Sequence, residues 1–180
     1  MLKPGDRIPD FDLLTDRGER VSANTLRGTR SVFYFYPKDD TPGCTTEACA
    51  FRDVMPKFDD SQVRVYGISA DDTRRHARFV AKHQLNFPLI ADPEHLAING
   101  FGVWIEKSLY GRKYMGIARA TFAVDANGRV EKVWDKVKPA THAEEVLAYL
   151  DGAATTSGKP ELSAPSGRAH PSRGVKTNRV

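Results

Sequence analysis

The spacing of apolar positions along the first 150 residues changes several times, and each change marks an element. Phe11-Asp12-Leu13-Leu14 and Glu19-Arg20-Val21 flank Asp16-Arg17-Gly18, a turn signal between two short extended runs, so a small N-terminal hairpin is predicted. Residues 31–36 form a nearly continuous apolar and aromatic run ahead of Pro37, the pattern of a central strand buried on both faces. Residues 42–58 read mainly as helix, and Pro56 is expected to interrupt it. Residues 63–68 form a second buried strand. Residues 73–83 are helical, with Ala77, Val80 and Ala81 spaced for one face. Residues 87–90 form a short strand that Pro88 places towards an edge or a strand start. Residues 94–101 read as a short helix. Residues 120–124 and 130–134 enclose Asp125-Ala126-Asn127-Gly128, and Asn-Gly between β-rich runs is a strong hairpin signal. A helix over 141–150 closes the body, with His142 near its start read as a surface residue. This order predicts an α/β fold with a mixed central sheet flanked by helices.

Composition bounds the picture further. The chain has 180 residues, room for about one domain. No apolar stretch approaches the ~18 residues of a membrane span, and the charged N-terminus has no apolar signal region, so a soluble, cytoplasmic protein is expected. The formal net charge is +4, but most of it belongs to the last thirty residues, where Lys159, Arg168, Arg173, Lys176 and Arg179 face only Asp151 and Glu161. That segment holds several glycines and prolines and no Phe, Trp or Tyr, so it cannot bury enough apolar surface to offset its ordering entropy. A body over 1–150 and a disordered basic tail over 151–180 are therefore expected. A basic tail can touch nucleic acid or anionic lipid. This one lacks aromatic residues for stacking bases, so a solvated terminus is the expectation.

The chemistry concentrates after the first central strand, in Pro37-Lys38-Asp39-Asp40-Thr41-Pro42-Gly43-Cys44, with Cys49 beyond it. Thr41 can cap a helix, and Pro42 suits its first turn, where a missing N–H has no intrahelical partner anyway. Cys44 then falls among the free N–H groups and positive dipole of a helix N-terminus, which favour an anion. The thiolate is the nucleophilic form of cysteine. Asp39 and Asp40 would oppose it if they point inward, and Lys38 would help. A buried, inert residue is the ordinary alternative for either cysteine. On a regular helix the Cα atoms of Cys44 and Cys49 lie ~8.7 Å apart, whereas a disulfide needs roughly 4.4–6.8 Å. The helix must unwind locally before these two thiols can bond. Two cysteines without a nearby histidine make a weak metal site.

The run PKDDTPGCTTEAC resembles the active-site motif of the peroxiredoxins, with a cysteine spacing similar to that of the PrxQ, or bacterioferritin comigratory protein, subfamily. The likeness continues through Phe101-Gly-Val-Trp104, Gly116-Ile-Ala-Arg-Ala-Thr-Phe122 and the last helix, covering about residues 2–150. It implies a thioredoxin-like fold with an added N-terminal hairpin and thiol-dependent reduction of hydrogen peroxide and organic hydroperoxides. By that resemblance Cys44 is the peroxidatic cysteine, passing through a sulfenic acid, and Cys49 is the resolving cysteine. Thr41 hydrogen-bonds near the sulfur, Pro42 shields it, and Arg119 polarises thiolate and substrate. The family usually places hydroxyl residues beside that arginine, where this chain has Ala118 and Ala120. The resemblance further implies recycling by thioredoxin or another dithiol protein, no metal or other cofactor, and a monomer or weak dimer. A disulfide reductase or isomerase on the same fold, and a nucleic-acid-binding or protein-binding module built on the tail, are the rival classes.

Overall fold

The computed structural model describes residues 1–156. The chain forms β1 (Asp12–Thr15), β2 (Arg20–Ser22), β3 (Ser31–Phe35), α1 (Pro42–Asp60), β4 (Arg64–Ser69), α2 (Thr73–His83), β5 (Leu89–Ala91), α3 (Leu96–Gly100), β6 (Trp104–Leu109), β7 (Arg112–Ile117), β8 (Ala120–Val124), β9 (Val130–Trp134) and α4 (His142–Thr156). Seven strands make one sheet in the order β2-β1-β5-β4-β3-β8-β9. β3, β4 and β5 run parallel, while β1 and β8 join them antiparallel. The sheet is therefore mixed, as expected.

β3 lies inside the sheet, between β4 and β8, and suits that place because every residue in it is apolar, aromatic or a buried serine. Successive side chains point to opposite faces. Phe33 and Phe35 enter a core with Phe11, Ile68, Phe101, Val103 and Phe122. Val32 and Tyr34, with Tyr36 beyond the strand, enter a second core beneath α1, α2 and α4, among Phe51, Phe58, Phe79 and Val146. Tyr34 stacks on Phe51 of α1 with centroids 4.7 Å apart and rings 12° from parallel. Space for Tyr34 comes from Gly67 of β4. A Cβ there would lie 2.7 Å from the Tyr34 hydroxyl and 2.7 Å from Leu89 Cδ2. That stacking seats α1 on the sheet with its N-terminus at the C-terminal end of β3.

Several elements differ from the sequence reading. No element was assigned between 102 and 119, yet β6 and β7 pair there as a separate hairpin. Its turn is Tyr110-Gly111, both at positive φ (48° and 74°), the geometry of a tight two-residue turn without the usual Asn-Gly. Most of its residues are exposed, so no clean apolar alternation announces it. In α2 the buried residues are His76 and Phe79, while Ala77 and Ala81 are exposed. The larger Phe79 buries more apolar surface than either alanine and sets the face. β5 begins at Leu89, directly after Pro88, but lies between β1 and β4 rather than at an edge.

Pro56 does not interrupt α1, which runs on to Asp60. The missing N–H would leave the Arg52 carbonyl, four residues back, without its helical donor. Asn86 Nδ2 donates to that carbonyl at 3.1 Å and takes the donor's place. α4 continues past the expected boundary at Leu150 to Thr156. The expectation of disorder over the remainder of the tail falls outside the described residues. His142 is fully buried, not a surface residue. Its Nε2 is 2.7 Å from the Thr121 hydroxyl on β8, and Phe51 and Trp134 pack edge-on against its ring.

Candidate active site

The site forms where β3 gives way to α1. The loop over 37–41 is fixed by a buried polar network. Asp39, 2% exposed, accepts from the Tyr36 hydroxyl at 2.6 Å and faces His76 Nδ1 at 2.7 Å. His76 Nε2 is 3.1 Å from the Ile90 carbonyl, and the Asp39 amide donates to Asp71 at 2.8 Å. So Asp39 does point inward, but its carboxylate is engaged by Tyr36 and His76. Asp40 turns outward to Lys82 (2.7 Å) and His83 (3.1 Å), and Lys38 is exposed. The ligand atoms of Asp39, Asp71 and His76 lie within 4.8 Å of one another. Protein partners already engage them, including Ser69 and Arg75 on Asp71. The group reads as a structural clamp on the loop.

Thr41 is the N-cap, with extended backbone (φ −92°, ψ 153°), and Pro42 opens the helix. The Thr41 hydroxyl makes no cap bond and donates instead to the Lys38 carbonyl at 2.9 Å. Cys44 follows in the first turn, 1% exposed. Arg119, between β7 and β8, lies with its guanidinium against this turn, and Nη2 is 3.3 Å from Cys44 Sγ. Gly43 makes room for it: a Cβ there would sit 3.2 Å from Arg119 Nη2. The sequence-predicted residues Thr41, Pro42, Cys44 and Arg119 thus converge around one helix N-terminus. Ala118 and Ala120 offer no side-chain hydrogen bond to the arginine.

Its other partner is Glu47, one turn after Cys44 and wholly buried. Arg119 Nη1 donates to Glu47 Oε2, while Oε1 has no hydrogen-bond partner among the described residues. Burial raises the Glu47 carboxyl to about 7, although the Arg119 charge pulls the other way. Burial by itself would lower Arg119; the Glu47 carboxylate and the Cys44 sulfur outweigh it and hold the guanidinium above its ordinary value. Half-buried Lys107 of β6 also feels this cluster. Burial and the Arg119 charge lower it, and Cys44 opposes them. Sequence reasoning passed over Glu47, Lys107 and the Asp39–His76 clamp. Only Glu47 carried a signal, since a residue three positions after Cys44 shares its helix face.

Cys49 sits on the same unbroken helix, partly exposed, and both thiols are free. It lines a surface groove of about 480 Å³ with Thr45, Thr46, Asp53, Ala140 and Glu144. Arg52, too far along the helix to serve Cys44, places Nη1 3.5 Å from Cys49 Sγ.

The sequence and the fold match those of known proteins. The model of the AhpC/TSA family matches residues 4–133, and the chain belongs to that family. Within it the relatives are peroxiredoxins. The chain is 45% identical over 149 residues to peroxiredoxin Bcp of Bacillus subtilis, covering 83% of this chain and 95% of that one. It is 44% identical to peroxiredoxin Bcp of Escherichia coli, covering 83% and 96%. Among solved structures it resembles the bacterioferritin comigratory protein of Xanthomonas campestris, described with alkyl peroxide reduction activity, at TM-score 0.79 and 37% identity over 84% of this chain and 99% of that chain. Peroxidoxin BcpB of Mycobacterium tuberculosis aligns at TM-score 0.74 and 33% identity, over 84% and 98%. The fold is therefore thioredoxin-like, and the chemistry is that of an antioxidant thiol peroxidase acting on peroxides with a thiol reductant. Among the described residues no helix is long and apolar enough to cross a membrane.

Proposed function

We propose that the chain is a two-cysteine peroxidase of the cytoplasm, in which Cys44 attacks the peroxide, Cys49 resolves, and thioredoxin or a similar dithiol protein restores both thiols. The observation that carries this reading is the Arg119 guanidinium 3.3 Å from a buried Cys44 sulfur in the first turn of α1. Helix dipole and guanidinium both favour the thiolate, the nucleophilic form. The thiolate attacks one peroxide oxygen. An S–O bond forms, the O–O bond breaks, and the leaving oxygen departs as alkoxide or hydroxide and takes up a proton. Negative charge grows on that oxygen, and the fork of Arg119 is aimed at it with its position already fixed by Glu47. The Thr41 hydroxyl donates its hydrogen bond to the Lys38 carbonyl, which leaves its lone pairs to accept from the peroxide O–H. The likeness to the peroxiredoxins gives Pro42, at the start of α1, the role of shielding the sulfur.

The cysteine sulfenic acid then meets Cys49. An S–S bond forms, the S–O bond breaks, and water leaves. The first turns of α1 must open for this, because the two Cα atoms stand ~8.7 Å apart on a regular helix. Dithiol exchange returns the enzyme to its starting state. Peroxide consumption coupled to thioredoxin and its reductase tests the proposal, with intact mass following the cysteines. Cys44→Ser should lose all turnover. Cys49→Ser should reduce one equivalent of peroxide and then stop. Sustained thioredoxin-linked turnover by Cys49→Ser would refute the resolving role.

A further inference from the structure

Resolution requires a nucleophile as well as a sulfenic acid, and the surroundings of Cys49 are not those of an idle thiol. Arg52 Nη1 lies 3.5 Å from its sulfur and donates at the same time to the His83 carbonyl at 2.8 Å, at the end of α2. A carbonyl there is one of the unpaired groups of a helix C-terminus, where cations are favoured. The Arg52 main chain is held as well. Its carbonyl accepts from Asn86 Nδ2 at 3.1 Å because Pro56 offers no N–H. Side chain and backbone are thus fastened to residues 83 and 86, outside α1. The opposite edge of the guanidinium pairs with Asp53 at 2.8 Å, and that carboxylate is largely exposed. The Asp53 bond holds the arginine above its ordinary value, burial opposes it, and the Cys49 sulfur adds to the raising side.

We infer that Arg52 is the residue that stabilises the Cys49 thiolate for the resolving step, a cation separate from the one that serves Cys44. The inference rests on the two-cysteine reading above. In the step itself the Cys49 thiolate attacks the Cys44 sulfur, the S–S bond forms, the S–O bond breaks, and hydroxide leaves and is protonated to water. Opening the first turns of α1 does not release Arg52, because its anchors, His83 and Asn86, lie outside α1. The cation stays in place while the Cys44 segment travels. The two active thiols therefore have two separately anchored arginines, Arg119 between two strands and Arg52 against the end of α2.

Arg52→Met and Arg52→Lys test this by single-turnover rapid quench and intact mass. Arg52→Met should consume its first equivalent of peroxide at a rate within about twofold of the native sequence, while its disulfide forms roughly tenfold more slowly, as loss of one charge-assisted hydrogen bond implies. The lingering sulfenic acid should then be carried to sulfinic acid at high peroxide. Arg52→Lys should recover part of the resolving rate, which loss of packing alone would not predict. Alkylation of Cys49 by iodoacetamide in a Cys44→Ser background gives an arm independent of peroxide, and adding Arg52→Met should slow it several-fold at unchanged far-UV circular dichroism. Native resolving and alkylation rates in Arg52→Met would overturn the inference. If the unmutated protein forms no 44–49 disulfide with peroxide, it is the two-cysteine reading that fails.

Discussion

Replacing Glu47 by glutamine should change how stability depends on pH. In the folded protein burial holds the Glu47 carboxyl at about 7 against an ordinary 4.5. Between those values the folded state keeps a proton that the unfolded state has lost. Stability therefore falls as pH rises through this window, by about 1.4 kcal/mol per pH unit, or on the order of 3 kcal/mol in all. Below the window both states are protonated, and above it both are ionised, so neither region adds a slope. Glutamine is isosteric and does not titrate. The variant should therefore gain on the native sequence by roughly 2–3 kcal/mol between about pH 4.5 and pH 7.5, whatever its standing at the acid end. Urea unfolding followed by far-UV circular dichroism at half-unit steps of pH measures the difference, and the other titrating groups cancel in it. A difference that stays flat across the window would mean that Glu47 is ionised throughout, with Arg119 balancing its full charge.

Three further outcomes are expected. Arg119→Met should slow the peroxide step by roughly 10²–10³, and Arg119→Lys should restore it only in part, since an ammonium lacks the planar fork; stopped-flow peroxide kinetics decide it. Amide exchange over residues 43–51 should be slow in the reduced protein and fast in the disulfide form, with protection returning near Arg52, where the Asn86 and His83 bonds hold the chain. Equal protection in both redox states, with the disulfide present, would refute local opening. Gly67→Ala should destabilise by about 1–3 kcal/mol in thermal unfolding, because its Cβ would crowd the Tyr34 hydroxyl and Leu89 at 2.7 Å.

What the sequence could announce depended on how local each signal was. β3 and the β8–β9 hairpin are written in contiguous apolar runs and an Asn-Gly turn, so they stand where the pattern places them. The Thr41-Pro42 start of α1 is equally local. Arg119 came from its place before a strand together with a motif likeness, and its guanidinium does reach Cys44. The features that escaped depend on partners distant in the chain. Nothing near Pro56 reveals that Asn86 will satisfy the carbonyl it strands. His142 looks like any polar residue at a helix start until Thr121, Phe51 and Trp134 close around it. The Asp39–His76 pair spans 37 positions. The β6–β7 hairpin stands apart from the main sheet with much of its surface exposed, so burial leaves little periodicity to read.

The position of β3 has a consequence for how the chain is made. This strand lies between β4 and β8, and its antiparallel partner runs from Ala120 to Val124. Val32 pairs with Ala123, so the bonds on that side wait until some ninety more residues have emerged. At ~5–20 residues per second, synthesis leaves that edge open for on the order of 5–20 s. During that interval the nascent chain carries Val32-Phe33-Tyr34-Phe35 with one sheet edge unpaired and two aromatic faces uncovered, a template for association with neighbouring chains. A strand buried inside the finished sheet is thus an aggregation-prone segment on the ribosome, and yield in cells should respond to translation speed between β4 and β8.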